Sequence, residues 1–147
     1  MKYLCLSIFF FVSIQLSAQV RQFTGTWTKL NTTYVFEFDL VLKHQGNKVE
    51  GYFIWKVVEL DKHSSWSKDY YGDKIGLTGK EYIRGSWFPS RNMYKFKGYK
   101  KEDPHLIIGL DNYELQLDEL GNIGGKTKTM GSWLGRINGE LVEMDLL

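Results

Sequence analysis

The sequence predicts an all-β fold, an antiparallel up-and-down β-barrel of about 8–10 strands, with a β-sandwich as the alternative. Three observations predict it. Apolar residues recur at every second position, and no segment longer than two turns carries a helical period. Turn residues interrupt the chain roughly every ten residues. Glycine stands two positions before an aromatic in Gly25-Thr26-Trp27, Gly51-Tyr52-Phe53, Gly85-Ser86-Trp87 and Gly131-Ser132-Trp133. On a strand that spacing sets a gap beside a ring on one face, which lets strands bend and coil into a closed sheet. A parallel α/β fold is excluded, since no crossover helix is present.

The chain opens with a secretory pattern. Met1-Lys2-Tyr3 is a short positive start, Leu4 to Ile14 is an apolar run broken only by Ser7 and Ser13, and Gln15-Leu16-Ser17-Ala18 ends in small residues. Residues 1–18 are expected to be a cleavable signal peptide, cut near Ala18. Leu16 at position −3 allows the cut to move by a residue or two. The apolar run is too short to span a bilayer, which takes roughly 20 residues. The expected location is therefore secreted or periplasmic. Cys5, the only cysteine, lies inside the signal, so the mature chain has no disulfide, thiolate nucleophile or cysteine metal ligand.

Removing 18 of the 147 residues leaves a single domain of 129, residues 19–147, which buries about two thirds of its unfolded surface. Lys2 leaves with the signal and no acid does, so 18 basic residues face 17 acidic ones, for a charge of +1. Interspersed charges so nearly balanced argue against a nucleic-acid binder. Abundant aromatics (16%) and two prolines exclude a disordered chain.

Strands are expected in order at Phe23–Lys29, a hairpin over residues 33–59, then Lys74–Thr78, Glu81–Phe88, Met93–Lys100, Leu106–Leu110 and Tyr113–Leu117. Two more are expected near Lys126–Ile137 and Glu140–Leu146. In the hairpin, Tyr34, Phe36, Phe38, Leu40 and Leu42 share one face, and Glu37, Asp39 and Lys43 the other. After the turn Gln45-Gly46-Asn47, Val49, Gly51, Phe53, Trp55 and Val57 continue one face. Further turns are read at Pro89-Ser90-Arg91-Asn92, Asp103-Pro104, Asp111-Asn112, Gly121-Asn122 and Asn138-Gly139.

Phe23-Thr24-Gly25-Thr26-Trp27 at the mature N-terminus resembles the opening of lipocalins and avidins, the calycin-type barrels. Thr24 to Trp27, a short polar loop, an apolar strand and Gly51-Tyr52-Phe53 are similar to the first third of an avidin, over about 35 residues. The resemblance implies an eight-stranded barrel. It does not carry biotin binding, because the positions that hold the biotin ureido group in that family are Lys29, Thr33 and Phe53 here.

No constellation for catalysis is evident. His44, His63 and His105 lack the i, i+2 or i, i+4 spacing that presents two ligands to a metal, and are read as solvated turn residues. No Gly-x-Ser-x-Gly occurs, and Gly121-Asn122-Ile123-Gly124-Gly125 lacks the following helix of a phosphate loop. Glu37, Asp39 and Glu50 read as solvent-facing. In the basic run Arg91–Lys101, alternation sends Tyr94 and Phe96 inside and Lys95, Lys97 and Tyr99 outside. Asn31-Thr32-Thr33 fits the N-glycosylation pattern.

The expected function is a secreted, non-enzymatic binding protein that holds a small apolar or aromatic ligand at a barrel mouth, without cofactor or metal. Trp27, Phe53, Trp55 and Trp87 are the expected lining. Trp66, Tyr70 and Tyr71, in the polar segment 61–73, are the expected lid. The alternative is a secreted protein-interaction module, an inhibitor or envelope accessory factor, that uses that same loop around a filled core. A small hydrolase would need two carboxylates, or a carboxylate and His63, in one cleft.

Overall fold

A computed structural model describes residues 19–29, 35–59, 69, 72–129 and 132–146. It is an all-β antiparallel barrel of eight strands: β1 (Gln19–Lys29), β2 (Val35–Gln45), β3 (Lys48–Glu59), β4 (Thr78–Phe88), β5 (Met93–Glu102), β6 (Asn112–Leu117), β7 (Ile123–Thr129) and β8 (Ser132–Leu146). Each strand pairs with the next and β8 pairs with β1, which closes the sheet. Closure removes every free sheet edge. The turns at 46–47, 89–92 and 118–122 gather at one end, the turn end. The opposite strand ends, with residues 72–77 and 103–111, form the other, the loop end.

Period-two alternation dictates which side chains enter the barrel. Phe36, Phe38, Leu40 and Leu42 of β2 are buried, as are Val49, Phe53, Trp55 and Val57 of β3, while Glu37, Asp39 and Glu50 face outward. Tyr94 and Phe96 of β5 point in; Lys95, Lys97 and Tyr99 point out. The glycine–aromatic repeats sit where strands crowd together. A Cβ at Gly25 would overlap the Asn138 carbonyl of β8, one at Gly51 the Val41 carbonyl of β2, and one at Gly85 the Lys95 carbonyl of β5. Gly131 lies outside the described residues.

The interior is a continuous file of rings. Trp27 meets Phe36 at 5.6 Å between centroids, Phe36 meets Trp55 at 6.1 Å, and Trp55 stacks on Phe53 at 4.5 Å. Phe53 continues to Tyr113 at 5.0 Å and Phe96 at 6.1 Å; Phe96 leads to Tyr94 and Tyr94 to Trp87. Phe53 is fully buried at the centre of this file. Phe53→Ala should cost about 3–5 kcal/mol, read as a lower urea midpoint with an unchanged slope. An unchanged midpoint would mean that the rings are not packed as described.

Four expectations change. Lys74–Thr78 is mostly a turn and not a separate strand: Gly76 (φ 84°) donates its N–H to Val57 O, Val57 N–H donates to Leu77 O, and β4 starts at Thr78. Leu106–Leu110 is not a strand either. The Asp103 carboxylate accepts the N–H groups of Ile107 and Ile108, and Leu106 sits at φ 55°, so the segment curls and drives Ile107 into the core. Asn138-Gly139 is no turn but lies inside β8, opposite Thr26 and Gly25. Glycine is there for space, since a Cβ would press on Phe38 and Ile123. The span expected as one strand over Lys126–Ile137 is instead divided between β7 and β8.

Candidate functional site

Side chains of opposite polarity are brought into the barrel at its two ends. Toward the loop end, Glu81 of β4 enters on the same face as Ile83 and is 1% exposed. Its Oε2 accepts the Trp55 indole N–H at 3.0 Å and the Tyr113 hydroxyl, and its Oε1 accepts the Asp111 N–H at 3.2 Å. Burial raises the Glu81 pKa from 4.5 to about 7 against these three hydrogen bonds. Gly98 leaves the room for this carboxyl, for a Cβ there would overlap Oε1. Nearby, the Trp27 indole N–H donates to Thr127 Oγ1 at 2.7 Å, and Thr129 Oγ1 donates to the carboxylate of Asp111, whose pKa burial also raises. Every polar group of this cluster is satisfied from within, as an aromatic interior requires.

At the turn end the arrangement is open. Arg21 of β1 shares the inward face of Phe23 and Trp27 and donates from Nη1 to Tyr94 Oη at 2.9 Å. Tyr94 Oη lies 3.0 Å from His44 Nε2. The phenol oxygen accepts from the guanidinium, and its contact with His44 Nε2 is a hydrogen bond whose direction follows the imidazole tautomer. Burial and the neighbouring Arg21 charge lower the His44 pKa to about 4, so the ring is neutral at pH 7. Trp87 closes one side, its ring 4.4 Å from that of Tyr94 and 5.5 Å from Arg21 Cζ. Gln19, Arg21, His44, Trp87 and Pro89, with the Gly46-Asn47 turn, line a pocket of about 330 Å³. That volume is at the lower end for small-molecule sites. A larger concavity of about 1020 Å³ crosses the outer face around β1 and β2 and is edged by Glu37, Asp39, Asp118, Glu140 and Lys56.

The expected lining residues divide between these places. Trp27, Phe53 and Trp55 come together within the ring file, packed on one another and on Phe36 and Phe38. Trp87 is apart from them, half-buried at the opposite end. Trp66, Tyr70 and Tyr71, the expected lid, and His63 lie outside the described residues, as does Thr33. His44 is not a solvated turn residue: β2 runs on to Gln45, so alternation carries its ring inside, where it is 6% exposed. His105 is exposed.

Arg21, His44 and Glu81 were not among the expected site residues, yet each shares the parity of apolar neighbours on its strand. Among the described residues no three His, Cys, Asp or Glu side chains cluster to hold a metal, and no helix is long and apolar enough to cross a membrane. No protein-family model, no curated protein and no solved structure matches the chain.

Proposed function

We propose that the protein is an exported, non-enzymatic binding barrel of calycin type that takes a small apolar or aromatic molecule at its turn-end mouth. The pocket bounded by Trp87 carries this reading. It is concave and open to solvent, and it has a half-buried indole as one wall and Pro89 beside it, the surroundings a flat apolar molecule needs. The ring file directs the ligand to this mouth rather than deeper. Phe53, Trp55, Tyr113 and Phe96 touch one another, so a molecule between them would have to displace packed side chains.

The probe for this reading is 2-naphthylacetamide, a neutral bicyclic of fitting size. In nitrogen-labelled protein its titration should shift the Trp87 indole N–H resonance and leave those of Trp27 and Trp55 in place. Trp87→Ala should weaken binding at least tenfold, the loss of roughly one aromatic contact, with a melting temperature within a few degrees of wild type. Shifts at Trp27 and Trp55 without one at Trp87 would move the ligand to the loop end and overturn the reading.

A further inference from the structure

We infer that the turn-end pocket selects ligands bearing a carboxylate, with Arg21 as the residue that recognises it; this rests on the Trp87 pocket being the binding site. Three features of the guanidinium point there. It is a cation drawn into the barrel mouth, and among the side chains the structure describes no carboxylate lies within ion-pairing distance of it. Its Nε–H is buried and donates to nothing among the described residues. Its hydrogen-bonded neighbour among the described residues, Tyr94 Oη, is a neutral phenol whose pKa burial raises, so the positive charge is not cancelled. A partly buried cation without a counter-charge is costly, and an incoming anion removes that cost.

The remaining groups of the pocket are of matching character. Among the described residues no acidic side chain lines it; beside Arg21 stand the Gln19 amide, the His44 ring and the Gly46-Asn47 backbone. His44 is neutral at pH 7 and adds no second charge. Gly46, at φ 59°, makes the sharp turn that keeps this wall low, and a Cβ there would meet nothing within 4 Å. One guanidinium fork and neutral donors suit a planar monoanion. A phosphate dianion would call for a second cation, which the described lining lacks. The Trp87 ring beside the guanidinium then places the apolar body of the ligand next to its acid group. An aromatic or alkyl carboxylate is the class that fits.

The test compares 2-naphthylacetate with 2-naphthylacetamide by calorimetry at pH 7 on wild type and Arg21→Gln. Wild type should bind the acid at least thirtyfold tighter than the amide. Arg21→Gln should bring the two within threefold by weakening the acid alone. Equal wild-type affinities would overturn the carboxylate inference while leaving the Trp87 pocket standing. Binding of neither compound would overturn both. An acid preference that survives Arg21→Gln would assign recognition to another residue and sink the role of Arg21. Should Arg21→Gln not fold, the wild-type Arg21 Nε–H resonance gives the answer without a variant: it should move on adding the acid and not the amide, and an unmoved resonance with bound acid refutes the contact.

Discussion

Replacing Glu81 with glutamine is expected to turn a shallow dependence of thermal stability on pH between about 4.5 and 6.5 into one that climbs with pH. Two buried groups with opposite linkage explain why. Glu81 has its pKa raised from 4.5 to about 7 in the fold. Between those values the folded chain keeps a proton that the unfolded chain has released. Its contribution is therefore intact below 4.5 and is lost as pH rises through 7, by roughly 3 kcal/mol at 1.36 kcal/mol per pH unit. His44 has its pKa lowered from 6.5 to about 4, so the unfolded chain holds the extra proton across nearly the same window. Its contribution is intact above 6.5 and is lost as pH falls toward 4. It is the smaller of the two because the ring borders an open pocket.

In wild type the slopes oppose each other. Glu81→Gln leaves the rise set by His44, and His44→Gln leaves the fall set by Glu81; Asp111, whose pKa burial also raises, acts in the direction of the fall in all three proteins. Asp103 and Asp118 have lowered pKa values and act below about pH 4, outside the window. Above pH 7.5, Glu81→Gln should melt up to about 10 °C higher than wild type, less whatever the amide loses in fitting the Asp111 N–H. Melting curves from pH 4 to 8 on the three proteins check this. Parallel curves for wild type and Glu81→Gln would sink the idea of a buried neutral acid.

Gly25→Ala should cost about 3 kcal/mol or more, far above the usual price of a glycine change in a strand. The added methyl meets the Asn138 carbonyl and the Gly139 Cα of β8, which are backbone and have no rotamer to escape into. The seam between β1 and β8 would have to open. Gly46→Ala makes the informative contrast. There nothing lies within 4 Å, and only the left-handed φ of 59° resists, for about 1 kcal/mol. Urea midpoints of both variants separate the causes. A Gly25→Ala protein no less stable than Gly46→Ala would mean that the two strands do not approach as closely as described.

The fold was legible because alternation is strongest where strands are long and one-sided. Phe36 to Leu42 and Val49 to Val57 needed only counting, and the Gly-x-aromatic repeats marked the crowded strand contacts. Errors arose where a local signal had two physical meanings. Asn138-Gly139 has the chemistry of a tight turn, but Gly139 serves to make room for Phe38 and Ile123, a tertiary demand invisible in a dipeptide. Leu106 to Leu110 is apolar enough for a strand, yet Asp103 claims the local N–H groups first. The polar interior was half-legible. Arg21, His44 and Glu81 keep step with Phe23, Leu42 and Ile83, so parity places them inside once their strands are extended by a few residues. What parity does not reveal is which end each reaches, or that Trp87 stands far along the ring file from Trp27. Those facts depend on strand tilt and stagger, which closure sets.

The pairing of Gln19 with Leu146 makes the barrel a ring interrupted at one point, the start of β1 beside the end of β8. Seven of the eight strand pairings join neighbours in sequence and can form as the chain emerges. The eighth links residues more than a hundred positions apart and waits for the last strand. Until then β1, carrying Phe23 and Trp27, is an uncovered hydrogen-bonding edge beside unburied rings. The vulnerable period of this protein is therefore set by the arrival time of its final fifteen-residue strand. A truncation there leaves a sheet with two sticky margins, not a slightly smaller barrel.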